Sequence, residues 1–207
     1  YKILIFFLIL FSTIILTYRL VKGKEDKKRF IEKFSFINHK KRAGKLIWFH
    51  GSSIGEILSV IPLIEKFEKK KDIKQILITS NTLSSSKILS KFSFKKTIHQ
   101  FFPIDSSFLI RKFLNHWKPS SVLFIESEIW PNAISEIKKT GIPLILLNAR
   151  ITKKTFEKWN KFKIFSKYIF SKFDICLCQN DETLGYLKKL GSKKVKKEGN
   201  LKFSNYN

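Results

Sequence analysis

The sequence predicts an α/β protein: a Rossmann-like parallel sheet with helices on both faces. Three observations carry this. From Lys45 onward, short apolar β-rich runs alternate with helix-like segments, the order that βαβ units need. Several of the helical segments close on helix stops, as at Gly141-Ile-Pro143 and Gly191. With 207 residues, 43% apolar and 14% aromatic, the chain can bury one sizeable core and is not a disordered tail.

Taken in order, Ile3–Leu16 is an almost unbroken apolar run, extended by Tyr1 and Tyr18 as interfacial aromatics. The flank Arg19–Arg29 is basic, which places that side in the cytoplasm. No small-residue cleavage site follows, so a signal peptide is the weaker reading, and residues 1–20 are expected to form a membrane-anchor helix, spanning or interfacial. Residues 21–44 read as a basic juxtamembrane segment and 45–207 as the Rossmann-like domain. Its strands are expected at Leu46–His50, Gln75–Ser80, Thr97–Phe102, Val122–Glu126, Leu144–Asn148, Ile175–Gln179 and Val195–Lys197. Helices are expected at Ile54–Lys70, Ser84–Phe92, Ser107–Trp117, Trp130–Lys139, Lys153–Phe170 and Glu182–Leu190. A start at Tyr1 and the lack of methionine read as an incomplete product.

The net charge of +25 points toward nucleic acid or an anionic membrane. Only Arg19, Arg29, Arg42, Arg111 and Arg150 carry the guanidinium fork that reads phosphates and guanines in pairs, so no nucleic-acid partner is expected. An AT-rich codon bias and a solvated lysine surface would give the same excess. Attraction to anionic lipid fits either cause. Cys176 and Cys178 are too close for an ordinary bridge and too few for a zinc site, and read as core thiols of a reducing compartment. The histidines show no ligand spacing, so neither metal nor cofactor is expected.

In an open α/β sheet, ligands bind beyond the carboxyl ends of the strands. Four loops there carry unusual residues. His50–Glu56 holds two serines and two glycines before a helix, resembling an anion cradle, which makes Ser52, Ser53 and Gly55 substrate-binding candidates. Glu56 falls in the first helical turn, where the helix dipole favours its carboxylate form and equips it to take a proton from a hydroxyl. Simple complementation of the helix end is the competing reading. Glu126 and Glu128 flank Ser127 and share one face if the strand persists, as a proton-sharing or sugar-binding pair or as two solvated acids. Asn148 and Arg150 end another strand, with Arg150 suited to a phosphate or carboxylate partner, or simply exposed. Gly199-Asn-Leu-Lys-Phe203 is the fourth.

In this order and at these intervals, Trp48-Phe-His-Gly-Ser-Ser-Ile-Gly-Glu56, Pro103-Ile-Asp105, Glu126-Ser-Glu-Ile-Trp-Pro-Asn132, Asn148-Ala-Arg-Ile151, Gln179-Asn180 and Gly199-Asn-Leu-Lys-Phe203 resemble the Kdo transferase family, which transfers 3-deoxy-D-manno-octulosonic acid (Kdo) onto lipid A precursors. The resemblance implies the N-terminal, acceptor-binding half of a GT-B fold, with the CMP-Kdo-binding half absent from this chain. It implies Glu56 as the general base, Glu126 and Lys202 as carboxylate and ammonium supporting the transition state, and no metal. It also implies residence at the cell inner membrane on the cytoplasmic side. A membrane-tethered module binding anionic lipid or sugar without catalysis, and a GT-B enzyme with another nucleotide-sugar donor, are the competing expectations.

Overall fold

The computed structural model describes residues 14–201. Seven strands form one sheet: β1 (Lys45–His50), β2 (Ile73–Ser80), β3 (Thr97–Phe101), β4 (Ser121–Ile125), β5 (Leu144–Ala149), β6 (Ile175–Cys178) and β7 (Val195–Lys197). All pairings are parallel, in the order β3-β2-β1-β4-β5-β6-β7. Between them run α1 (Ile54–Glu68), α2 (Leu83–Leu89), α3 (Ser107–Trp117), α4 (Pro131–Lys139), α5 (Lys153–Asn160), α6 (Lys163–Phe170) and α7 (Asp181–Leu190). Every expected strand is present, with ends displaced by a residue or two where local pairing decides them.

Alternation along β1 explains the two-sided burial. Leu46 and Trp48 join one core with Phe113, Trp117 and Phe124; Ile47 and Phe49 join the other with Ile57, Val60 and Ile64 of α1. Trp48 is fully buried against Phe113, ring centroids 4.8 Å apart, and its indole N–H donates to Thr79 Oγ1 at 2.9 Å.

The helix expected over Lys153–Phe170 is two helices, α5 and α6, broken at Lys161 and Phe162. The Ser166 hydroxyl, one turn into α6, donates to the carbonyls of Trp159 and Phe162. A side chain thus satisfies carbonyls at the break, and Trp159 turns edge-on to the buried Phe170.

Part of the basic segment 21–44 packs against the sheet. Strand β3 is an edge, and its outward-facing Phe101 N–H donates to Glu32 Oε2 at 2.8 Å while Arg29 Nη2 donates to the His99 carbonyl at 2.8 Å. Arg29 and Glu32, on and beside a short 3-10 helix (Phe30–Phe34), pair with each other and so cover the open strand edge. Buried Glu25 pairs with Lys33 at 2.7 Å and Arg19 at 2.6 Å. Residues 14–21 are helical. Among the described residues no helix is long and apolar enough to cross a membrane, and most of the apolar run behind the anchor expectation lies outside them.

Strand order reverses between β1 and β4, so the chains leaving their carboxyl ends diverge to opposite faces. That divergence opens a crevice bounded by the His50–Glu56 and Glu126–Trp130 loops.

Candidate functional site

The crevice floor begins at His50, the last residue of β1 and fully buried. Ser53 caps α1, accepting the Glu56 N–H at 3.3 Å, and Glu56 stands at the third helical position. The Glu56 carboxylate turns back over the cap: Oε2 accepts the Ser52 N–H at 2.7 Å and Oε1 accepts the Ser53 hydroxyl at 2.9 Å. This is the S-x-x-E capping pattern with the donor N–H shifted one residue, from Ser53 to Ser52, so the helix-end reading of Glu56 describes its local bonding. Burial, then the charge of Glu128, push the Glu56 carboxyl above its ordinary value, and its hydrogen bonds to Ser53 and Ser52 only partly offset them; Glu126 pushes the same way. The result is a half-buried carboxylate of enhanced basicity.

Gly51 presses the cap onto the sheet: a Cβ there would lie 3.1 Å from Ile125 Cδ1 and 3.2 Å from Glu56 Cβ. The run Gly51-Ser-Ser-Ile-Gly55 has the letters of the G-x-S-x-G nucleophile elbow. Ser53 spends its hydroxyl on Glu56, and His50 bonds Thr79 and Glu128, so no Ser–His pair forms. Gly55 is exposed in the first turn of α1.

Glu128 is the hub of the opposite loop. Its Oε2 accepts from Ser52 Oγ at 2.6 Å, Trp130 Nε1 at 2.7 Å and His50 Nε2 at 3.1 Å. His50 Nδ1 lies 2.9 Å from Thr79 Oγ1 and 3.2 Å from the Thr79 carbonyl, so both ring nitrogens have polar partners. Burial pushes the Glu128 carboxyl up, but the bonds and charge of His50, with those of Ser52 and Trp130, outweigh it and hold it below the ordinary value. The His50 ring stacks on Phe102 at 3.8 Å.

Strand β4 stops at Ile125, and buried Glu126 takes φ +55, so the alternation expected to align Glu126 with Glu128 does not hold. The turn brings both acids to bear on Glu56 by another route. Across the ladder, Asn148 takes φ +53. Its carbonyl accepts from Gln179 Nε2 at 3.0 Å, its Oδ1 accepts the Leu201 N–H at 3.1 Å, and its buried Nδ2 has no hydrogen-bond partner among the described residues. Arg150 donates its N–H to the Glu126 carbonyl at 3.3 Å, and its side chain is exposed, with no ion pair among the described residues. Lys202 lies outside the described residues.

Three contributors carried no singular signal in the sequence. His50 read as a packed histidine, Asn81 donates to Ser52 Oγ at 2.7 Å, and Asp105 caps α4 from a distant loop. Of these, Asp105 was visible only as part of Pro103-Ile-Asp105. Among the described residues no group of three His, Cys, Asp or Glu side chains is arranged to hold a metal.

Residues 28–205 match the family model described as 3-deoxy-D-manno-octulosonic-acid transferase (kdotransferase). The chain belongs to the Kdo transferase family. It is 38% identical over 205 residues to the 3-deoxy-D-manno-octulosonic acid transferase of Rickettsia bellii, covering 99% of this chain and 49% of that protein. Against the transferase of the same name from Haemophilus influenzae the identity is 26%, over 88% of this chain and 44% of the relative. The chain therefore spans about half the length of these curated Kdo transferases. The UDP-GlcNAc 2-epimerase of Neisseria meningitidis shares the fold, with TM-score 0.55 and 17% identity over 76% of this chain and 47% of the other. The Rickettsia bellii UDP-N-acetylglucosamine 2-epimerase does so at TM-score 0.53 and 19% identity, over 78% and 46%. Two of the motifs that suggested the family in the sequence, Trp48–Glu56 and Glu126–Asn132, carry the loops that bound the crevice.

Proposed function

We propose that this chain is the acceptor-binding half of a GT-B Kdo transferase that moves Kdo from CMP-Kdo to a lipid A precursor, lipid IVA, with inversion. The observation that carries the reading is Glu56, a carboxylate of raised basicity at the mouth of the switch-point crevice, with its oxygens held by Ser52 and Ser53. In the reaction, Glu56 takes the proton of the acceptor hydroxyl as that oxygen bonds to the anomeric carbon of Kdo. The bond from this carbon to the CMP phosphate breaks, and CMP leaves with the electron pair. The donor carries a carboxylate and a phosphate, and Arg150 and Lys202 are the cations assigned to them, with Glu126 supporting the transition state. No metal or cofactor takes part in this scheme, and the second Rossmann-like domain supplies most of the CMP-Kdo site.

The same reading places the protein on the cytoplasmic side of the cell inner membrane. Supporting it, Phe162 and Ile164 at the α5–α6 break are 68% and 90% exposed, with Lys161, Lys163 and Lys167 beside them, a composition suited to an anionic lipid surface. The test is Kdo transfer from CMP-Kdo to tetra-acylated lipid A precursor by the full-length protein carrying this chain, with Glu56→Gln alongside. Transfer by the parent and its loss in a folded variant support the assignment. A folded parent without transfer sinks it and leaves another donor, or binding alone.

A further inference from the structure

Glu128 keeps its carboxylate inside the protein. The three donors to its Oε2 come from β1, the loop after β1, and its own loop, and all belong to the frame of the crevice. Ser52 is tied on every side: its N–H goes to Glu56, its hydroxyl to Glu128, and its hydroxyl oxygen accepts from Asn81. Its carbonyl takes Ser85 Oγ at 3.1 Å and Thr82 Oγ1 at 3.4 Å. The two carboxylates are therefore joined through one residue, whose backbone faces Glu56 and whose side chain faces Glu128.

We propose that Glu128 is a positioning residue for Glu56, fixing through Ser52 the loop on which the base stands and facing it with a second carboxylate. The proposal rests on reading Glu56 as the base. Ser52 does not pass a proton between the two acids, because the atom it offers Glu56 is an amide N–H and its hydroxyl proton already points at Glu128. The link between the acids is thus geometric and electrostatic. The titratable groups facing Glu56 are Glu128 and Glu126 from the β4–α4 loop and, behind Glu128, the His50 ring from β1; its own helix contributes no second charge in the first turn. With Glu128 held ionised, its charge favours the protonated form of Glu56 and so strengthens it as a base.

The experiment is a carbon-13 NMR titration of the Glu56 carboxyl in the full-length protein, wild type and Glu128→Gln, paired with kcat and KM for Kdo transfer against pH. The expected result is a downward move of the Glu56 midpoint by about one pH unit, the size of one like charge across a part-buried site. The acidic limb of the kcat profile should move with it. At neutral pH kcat should fall about tenfold or more, with the acceptor KM within about twofold. An unmoved Glu56 midpoint in folded Glu128→Gln overturns the proposal, whatever the activity. Should Glu128→Gln not fold, Glu56→Gln gives the reciprocal measurement. Coupling is symmetric, so the Glu128 midpoint must then fall by an equal amount, and an unmoved one overturns the proposal. A moved midpoint in a protein that transfers no Kdo upholds the coupling while refuting the assigned reaction.

Discussion

Replacing Asp105 tests how the crevice is held open. The residue before α4, Trp130, makes no side-chain cap, and Pro131 at the helix start has no N–H to give. The next two amides go instead to Asp105: Ala133 N–H to Oδ1 at 2.7 Å and Asn132 N–H to Oδ2 at 3.1 Å. The exchange is reciprocal, with Asn132 Nδ2 donating to the Asp105 carbonyl at 2.7 Å. Asp105→Ala leaves two buried helix-start donors without an acceptor and removes a negative charge from the positive end of α4. At about 1–2 kcal/mol per orphaned donor, the loss is about 3 kcal/mol. Asp105→Asn keeps one acceptor oxygen and should lose about half as much. For a domain of this size 3 kcal/mol lowers Tm by roughly 9 °C. Urea denaturation with matched m-values is the assay, and thermal melts the check. A loss below about 1 kcal/mol in Asp105→Ala would show that solvent or rearranged side chains replace the cap, refuting the argument. Because α4 begins at the residue after Trp130, the same variant should also weaken the Trp130–Glu128 bond and Kdo transfer.

Three further outcomes follow from the geometry. The Glu56 carboxyl sits above its ordinary value of 4.5, so the folded state binds this proton more tightly than the unfolded one, and stability falls as pH rises from 4.5 through the raised value. Glu56→Gln should therefore be more stable than the parent at pH 7 and show no gain at pH 4; equal gains at both pH values would contradict this. Asn148→Ala loses the bond to the Leu201 N–H and places alanine at φ +53, a cost of about 2 kcal/mol. Amide exchange at Leu201 should accelerate about tenfold in both Asn148→Ala and Asn148→Gly, while only glycine recovers the backbone strain; unchanged exchange would remove the tether from the account. Both cysteines are buried; burial pushes the Cys176 thiol up to about 12 and raises Cys178 as well. A thiol reagent at pH 7.5 should label neither in the native protein, and rapid stoichiometric labelling would show that β6 is open.

Much of the fold was legible because burial on both faces of a parallel sheet leaves local marks. Runs such as Leu46-Ile-Trp-Phe49 and Leu144-Ile-Leu-Leu147 announce strands, and Gly191, at φ +107, marks the end of α7 by a conformation that suits glycine. The break inside Lys153–Phe170 was not legible, since no Gly or Pro marks it and the Ser166 hydroxyl that satisfies its carbonyls looks like any helical serine. The packing of residues 21–44 was hidden for a similar reason. Arg29 and Glu32 take on a role only when the open edge of β3 stands beside them.

For the site, sequence alone determined which loops to watch and that Glu56 begins a helix, because caps and strand ends are written in neighbouring residues. Only the tertiary structure decided what each acid does. Glu128 is fixed internally and Glu56 is left basic by contacts that span 78 residues from His50 to Glu128 and 76 from Ser52 to Glu128. Electrostatics and hydrogen bonding depend on distance through space, and the reversal of strand order at β1 and β4 is what turns those separations along the chain into bonds of about 3 Å.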